Sequence, residues 1–374
     1  YQGGAERLRS DTLGGTAYVT DYAAGVGAAY EVDLWGRIRS ARQAALLDAR
    51  AARDNVDTAA MSLSAAVAAA WYQLAEAKQQ EQIISRQIET NQKILEVIKV
   101  QFRQGQAGAA DVFNQQQLVQ SSQGQLIQVR ENIALLQHQL SILTGRPPDR
   151  RWQAQSIDLV TLGQLPAVEV PAAVLQRRPD VRSAYRTVQA ADRRLAAAIA
   201  DQYPTVSLSA SARTSAERAR DLFDDWLGSL AANAVGPLFD AGLRKAEVRR
   251  RRAVVSERLN TYSQTVLGAL QETEDALSRE AHQRDFVESL QQQLALARNV
   301  YERSYQNYLK GQQDYLRVLT ALVSMQSLEQ RELTARRQLL ERRIDLCRSI
   351  AGSWPLQRPE PGDLLSQSLV EAKD

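Results

Sequence analysis

Few side chains in this sequence could carry acid–base, nucleophilic or metal chemistry. Its 374 residues include two histidines, His138 and His282, and one cysteine, Cys347. Neither histidine has a second ligand at helical spacing, so no zinc site can be assembled around them, and both read as surface or seam residues. Cys347 lies between Leu346 and Ile350 in a helical pattern, where a thiol serves as a small core group. No nucleophile elbow, phosphate-binding loop or Gly-x-Gly-x-x-Gly follows a strand. The expectation is a protein without catalytic residues, cofactor or metal. Lysine and arginine number 46 against 43 acidic residues, a net charge of +3. That balance cannot coat a face with phosphate contacts, and no nucleic-acid partner is expected.

Charge and glycine at particular places remain. Asp111 follows Gly105, and Asp314, Tyr315, Leu316, Arg317 and Thr320 follow Gly311. Glycine at each place permits a tight helical reversal, so the charged residues are candidates for links that hold such turns together. Each could equally be a solvated charge. The run Arg249, Arg250, Arg251, Arg252 reads as a solvated helix face, with contact to anionic groups near a membrane as the alternative. Trp71 and Tyr72 read as packing residues.

An internal duplication organises the chain. Gly36 matches Gly242, an offset of 206, and Phe102-Arg103-Gln104-Gly105 matches Tyr308-Leu309-Lys310-Gly311 at the same offset. Asp111-Val112-Phe113 then pairs with Arg317-Val318-Leu319. Beyond that point Leu126, Ile133, Leu143 and Gly145 pair with Leu333, Leu340, Ile350 and Gly352 at 207, as though one residue were inserted. Within each repeat the long segments are helical. Leu126, Val129, Ile133, Leu136, Leu140 and Leu143 alternate steps of three and four, a coiled-coil seam, and Ile84, Ile88, Leu95, Ile98 and Phe102 supply its partner. Glutamine, arginine and glutamate fill the other positions. A proline-free helix over 38–104 would reach roughly 100 Å.

Residues 16–35 change to period two. Tyr18, Tyr22, Val26, Tyr30, Val32 and Leu34 alternate with Asp21, Ala23, Gly25, Gly27, Glu31 and Asp33. Tyrosines near both ends of an apolar face, opposite small or acidic residues, fit a barrel wall with lipid outside and water inside. Val206, Leu208, Ala210 and Ala212, and then Trp226, Leu230, Ala232 and Leu238, repeat the pattern. Asp21, Glu31, Asp33, Asp225 and Asn233 are therefore lumen-facing candidates. No run of about 18 apolar residues occurs, so a membrane helix is not expected, whereas a barrel survives that test. Four strands cannot close, because the smallest transmembrane barrels need about eight, and several copies are implied.

The run Tyr30-Glu31-Val32-Asp33-Leu34-Trp35-Gly36-Arg37-Ile38-Arg39 resembles the strand-to-helix signature of the outer-membrane factor (TolC/OprM-like) family, most closely its lipoprotein branch. Leu175-Gln176-Arg177-Arg178-Pro179-Asp180-Val181 and Tyr203-Pro204-Thr205-Val206-Ser207-Leu208 resemble the family's approach to its third strand, and the turns at Gly105 and Gly311 complete the likeness. The resemblance implies a mainly α fold with a membrane β-barrel portion. Long antiparallel coiled-coil helices would form a periplasmic α-barrel, and a homotrimer would share a twelve-stranded β-barrel. It also implies a passive outer-membrane exit channel of a tripartite efflux pump that exports drugs or other small toxic compounds. The implied partners are a periplasmic adaptor, an inner-membrane RND-type transporter and outer-membrane lipid. Two positions depart from the family's pattern: Tyr185 where an acidic residue is frequent, and Thr320 where the OprM-like gate has aspartate.

On this reading residues 1–164 form a first repeat with a strand remnant, a strand at 16–35, helices at 38–104 and 109–145, and a linker. Residues 165–352 form the second, with a helix at 171–200, strands at 203–214 and 224–238, and helices at 243–310 and 315–351. A polar tail occupies 353–374. The full-length protein is expected to carry a signal peptide and a lipid-acceptor cysteine upstream of Tyr1. A type I protein secretion outlet is the alternative within the same family, and a soluble coiled-coil scaffold the alternative outside it.

Overall fold

The computed structural model describes residues 2–12, 15–148, 159–163 and 176–351, with side chains from Tyr22 onward. The expected tail at 353–374 and most of the linker lie outside the described residues. Chain order is β1 (Gln2–Thr12), β2 (Gly15–Val32), α1 (Arg37–Arg103), α2 (Ala109–Leu143), α3 (Pro179–Ala200), β3 (Thr205–Ala216), a 3-10 turn (Ala219–Asp221), β4 (Leu227–Val235), α4 (Leu243–Leu309) and α5 (Tyr315–Ser349). Two compact units result, one of residues 1–53 and 183–264, the other of 54–182 and 265–374. Neither unit is a sequence repeat, since each draws on both repeats: α1 and α4 each run through both units.

In the first unit four strands form one antiparallel sheet in the order β1-β2-β3-β4. Pairing places Tyr30 opposite Leu208 and Leu208 opposite Ala232, while Ala28 meets Ala210 and Ala210 meets Leu230. Because side chains alternate across a sheet, these rows share one apolar face. The intervening rows are Glu31, Ser207, Asn233 and Gly27, Ser211, Ser229. Ser211 and Ser229 hydrogen-bond at 2.8 Å on that second, polar face. The opening segment, expected as a remnant, is an eleven-residue strand paired with β2 from Gln2↔Gly25 to Thr12↔Gly15. Residues 26–32 of β2 pair with β3 and have no β1 partner among the described residues. α3 begins at Pro179, where the fixed φ and absent N–H of proline suit a first helical position.

The second unit is a bundle of helices whose core clusters are built mainly on α1 and α5. Ala70, Leu74 and Ala77 of α1 pack on Leu136 and Leu140 of α2. Ala75 and Ile83 pack on Leu333 and Leu340 of α5 together with Leu159 of the linker. Val287 and Leu290 of α4 close on Ala335 of α5. Leu74, Leu140, Leu290, Leu322 and Leu346 are fully buried, each contributing about 1.5–3 kcal/mol of transfer free energy. The expected seam is found with one exception, since Phe102 in the last turn of α1 is exposed. Trp71 and Tyr72 are packing residues at the edges of these clusters.

Helix ends explain the glycine anchors. Gly105, Gly145 and Gly311 have φ of +73°, +73° and +71°. At each, the glycine N–H bonds three residues back and the next N–H five back, as in Gly105 to Phe102 and Gln106 to Gln101. This double bond pattern satisfies carbonyls a helix end would otherwise leave open. α2 and α5 are both 35 residues long and start 206 apart, so the inserted residue inferred from sequence does not exist. Ala351 after α5 takes a left-handed φ of +46°, and at an offset of 206 it is the counterpart of Gly145. Apolar positions that step by three and four allowed a one-residue slip. Leu140 and Leu346, both fully buried, are the true pair. Ala351→Gly should raise the melting temperature, by relief of about 0.5–1 kcal/mol of strain, whereas Gly145→Val should lower it by more; thermal circular dichroism reads both.

Candidate functional site

Two places gather the polar residues singled out by sequence. The first is where strands become helices. After β2 the chain turns at Gly36, φ +76°, and Asp33 accepts hydrogen bonds from the N–H groups of Ile38 (3.0 Å) and Arg39 (2.8 Å). Asp240 does the same for α4, accepting from Gly242 (2.9 Å) and Arg244 (3.2 Å). Each carboxylate satisfies open donors at a helix N-terminus. Those backbone donors, from Arg39 first for Asp33 and from Arg244 first for Asp240, hold both carboxyls below the ordinary aspartate value. Glu31 is tied to Arg37 at 2.7 Å, and Arg244 to Asp201 at 3.2 Å. Trp35 stacks on Tyr203 with centroids 4.7 Å apart and donates its indole N–H to the Pro204 carbonyl at 2.8 Å.

Of the lumen-facing candidates, Glu31 and Asn233 share one row of the polar face, but Asp33 does not belong to the barrel wall. It lies after β2 and caps a helix, because the strand ends at Val32 where α1 needs an acceptor. Asp225 precedes β4 in the loop, since Leu227 is the first residue with a ladder partner. Asp21 is paired opposite Glu6 in the register, and its side chain lies outside those described. Asp240, the better junction acid, went unselected; its position two residues before a glycine that opens a long helix was the available signal.

The second place is the pair of helical turns. Asp111 accepts from the Gly108 N–H at 3.0 Å and so closes the first turn of α2; Gly108 has no side chain to reciprocate. Asp314 is the N-cap residue of α5 but makes no side-chain cap bond. Asp314, Leu316, Arg317 and Thr320 are exposed, and the Thr320 hydroxyl bonds back to the Leu316 carbonyl at 2.9 Å. Tyr315 differs from these neighbours because it is buried. Its hydroxyl donates to Gln115, whose amide donates to the Asn91 carbonyl at 2.7 Å. Gln326 donates to the Asn91 side chain at 2.9 Å, and Asn91 reaches Ser122 at 3.3 Å. Tyr308 donates to Gln101 and lies 5.6 Å from the Tyr315 ring. Burial, then Tyr308 and Asp111, push the Tyr315 phenol well above its ordinary value, so it remains a donor. α1, α2 and α5 are thus joined by a buried network without formal charge, which the seam pattern did not reveal because it placed glutamine only among the positions left over from the apolar steps.

Cys347, expected as a small core group, is exposed, because α5 turns Leu346 and not its neighbour into the core; other candidates resolve into structural roles. Buried Arg178 of the Arg-Pro-Asp motif holds Asp180 (2.7 Å), Glu272 (2.8 Å) and the Ser349 carbonyl (3.2 Å), joining α3, α4 and α5. Tyr185 meets Tyr262 with ring centroids 5.6 Å apart. Arg250 and Arg251 both grip Glu247 at 2.7 Å, and those hydrogen bonds lower its carboxyl to about 2. Among the described residues no group of acidic, histidine or cysteine side chains could hold a metal.

Two outcomes test this geometry. Gln115→Leu should cost about 2–4 kcal/mol, because Tyr315 and the Asn91 carbonyl lose partners in a dry interior, while adding Tyr315→Phe should return part of that loss in a double-mutant cycle. The lowered carboxyls of Asp33 and Asp240 contribute stability that is present above their unfolded value of 3.8 and disappears as pH falls below it. Hydrogen exchange in the first turns of α1 and α4 should therefore quicken, relative to intrinsic rates, on acidification below that value, and Asp33→Asn with Asp240→Asn should abolish the difference.

Comparison with known proteins accords with this architecture. The family model described as "Outer membrane efflux protein" matches residues 1–146 and 170–352. The pyoverdine export outer membrane protein OpmQ of Pseudomonas aeruginosa is 28% identical, over 94% of this chain and 75% of its own length. The toluene efflux pump outer membrane protein TtgF of Pseudomonas putida is 27% identical, over 93% of this chain and 73% of its own. The solved outer-membrane channel OprN superposes with a TM-score of 0.87 at 25% identity, covering 94% of this chain and 81% of that one. The chain belongs to the outer membrane efflux protein family and is an outer-membrane efflux channel.

Proposed function

We propose that three copies of the chain form one passive exit duct, the outer-membrane stage of a tripartite pump for drugs or other small toxic compounds. The observation that carries this reading is the open sheet. Four strands have two outer edges, on β1 and β4, with an apolar face on one side and a polar face on the other. In a bilayer such edges require strand partners, and about eight strands are the least that close. Three copies give twelve, the number the family resemblance implies. The polar row of Glu31, Ser207 and Asn233 would face the water-filled lumen. On this reading a periplasmic adaptor and an inner-membrane RND-type transporter feed the duct, and cargo passes without chemistry.

The constriction of that duct is assigned to the turns around Gly105 and Gly311. Asp314 and Arg317 are exposed beside buried Tyr315 and engage no side chain among the described residues. They are therefore available to neighbouring copies, and we assign them the latch between copies, with Leu316 and Thr320 lining the opening. Asp111 is assigned a supporting role at α2. Detergent-purified protein should have the mass of a trimer and conduct poorly in a planar bilayer. Asp314→Ala with Arg317→Ala should conduct more, on the order of several-fold, as paired charges across copies are lost. A dimer mass would remove the twelve-strand barrel, and unchanged conductance would move the latch elsewhere.

A further inference from the structure

We infer that the first turns of α1 and α4 dock on the phosphate headgroups of the membrane leaflet at the helical end of the sheet. The inference rests on the sheet being the part that spans the bilayer. Register fixes which end is meant: Val32 pairs with Val206 and Thr205 with Val235, so every helix connection leaves from one end of the sheet. The chain turns between β1 and β2, and between β3 and β4, are at the other.

At the helical end both repeats build the same sequence of surfaces. Leu34, Trp35 and Ile38 are exposed at the start of α1. Leu238, Phe239 and Leu243 are exposed at the start of α4, with Phe239 at 90% and Leu238 fully open. Trp35 keeps its stack on Tyr203, while Leu238, Phe239 and Leu243 present open apolar surface beyond the end of β4. Cations follow at once. Exposed Arg39 and Lys245 occupy equivalent positions of the two repeats, 206 apart. On α4, Lys245, Arg249 and Arg252 are spaced four and three residues apart, which places them on one face, all exposed. Among the described residues none of the three has a carboxylate partner, unlike Arg250 and Arg251, which share Glu247. Neither helix has an acidic residue in its first turn.

A cation at a helix N-terminus opposes the helix dipole, so the fold alone does not favour this placement. The backbone donors there are already taken by Asp33 and Asp240. An anion would therefore be held by the side chains and not by the helix end. Lys245 to Arg252 spans about 10 Å of axis, and a headgroup layer is about 5–8 Å deep, within reach of an arginine that extends its charge toward the interface. Apolar residues at the acyl boundary with cations one turn beyond form the order in which a bilayer changes from hydrocarbon to phosphate.

The test reconstitutes the full chain in vesicles of equal parts phosphatidylethanolamine and phosphatidylglycerol, followed by native mass spectrometry of the lipid retained on gentle extraction. Phosphatidylglycerol should be enriched over its bulk share, and the enrichment should disappear in molar salt. In Lys245→Gln/Arg249→Gln/Arg252→Gln it should fall by about fivefold or more. The control Lys93→Gln/Lys99→Gln/Arg103→Gln, on the other compact unit, should leave it unchanged. Equal retention in the α4 variant, equal loss in the control, or enrichment that survives molar salt in the unaltered chain would each overturn the inference. Failure of the unaltered chain to insert or conduct would instead overturn the membrane reading beneath it, and the two failures are read separately.

Discussion

A peptide N–H or C=O surrounded by hydrocarbon must find a partner, and the four-stranded sheet leaves two edges that have none among the described residues. The other features of the first unit follow from that requirement. A sheet that closes with copies of itself needs an apolar outer face and a polar inner one on every strand. The register supplies both by aligning Tyr30 with Leu208 and Ala232, and Glu31 with Ser207 and Asn233. A one-residue slip in any strand would exchange those faces, so the turns that fix the register matter as much as the side chains. The strand-to-helix passage is held from both sides: by Asp33 and Asp240 capping the new helices, and by Trp35 stacked on Tyr203. Where β pairing ends, helical hydrogen bonding begins within a few residues, and little backbone is left without a partner.

Duplication carries this solution through the chain. Once a strand pair and two helices form a workable repeat, copying it doubles the sheet and lets α1 of one repeat pack on α5 of the other. The compact units consequently cut across the repeats. Repeats share sequence because they share ancestry, whereas units share contacts because long antiparallel helices meet their neighbours at every level. The ion pair Arg337–Glu76 at 2.6 Å and the hydrogen bond from Gln73 to Glu341 at 2.7 Å join the repeats within one unit.

Periodic elements were legible in the sequence, and exceptions to periodicity were not. The 67-residue helices α1 and α4 announce themselves by spacing, and their ends by glycine. The limit of that method shows at α5. A seam stepping by three and four tolerates a shift of one, so Leu126 and Leu333 looked equivalent until the buried pair Leu140 and Leu346 fixed the offset. Asp33 and Asp225 were misplaced for a related reason: alternation was extended past the last residue with a ladder partner. Nothing in a one-dimensional pattern marks where a carboxylate stops facing water and begins capping a helix. The network of Asn91, Gln115, Tyr315 and Gln326 was invisible because polar residues in a coiled coil are expected outside. Only packing against a third helix turns that side inward.

That network also bears on how a helical turn can be both held and released. A bundle joined only by leucine has many nearly equivalent registers, because one apolar contact replaces another at little cost. Asn91 has few acceptable partners, and Gln326 and Ser122 meet them in one arrangement. Sliding α5 against α1 by one turn would leave buried amides unpaired at about 1–3 kcal/mol each, so the interior fixes register more strictly than it adds stability. Charge is kept out of it: Asp314 and Arg317 are exposed on the first turn of α5, while Tyr315 between them points into the bundle. Residues on this one turn therefore have separable tasks. The inward tyrosine sets where α5 sits in its own chain, and the outward charges are left to respond to whatever lies outside it. A change in the outward pair can then alter contacts with neighbours without costing the bundle its register.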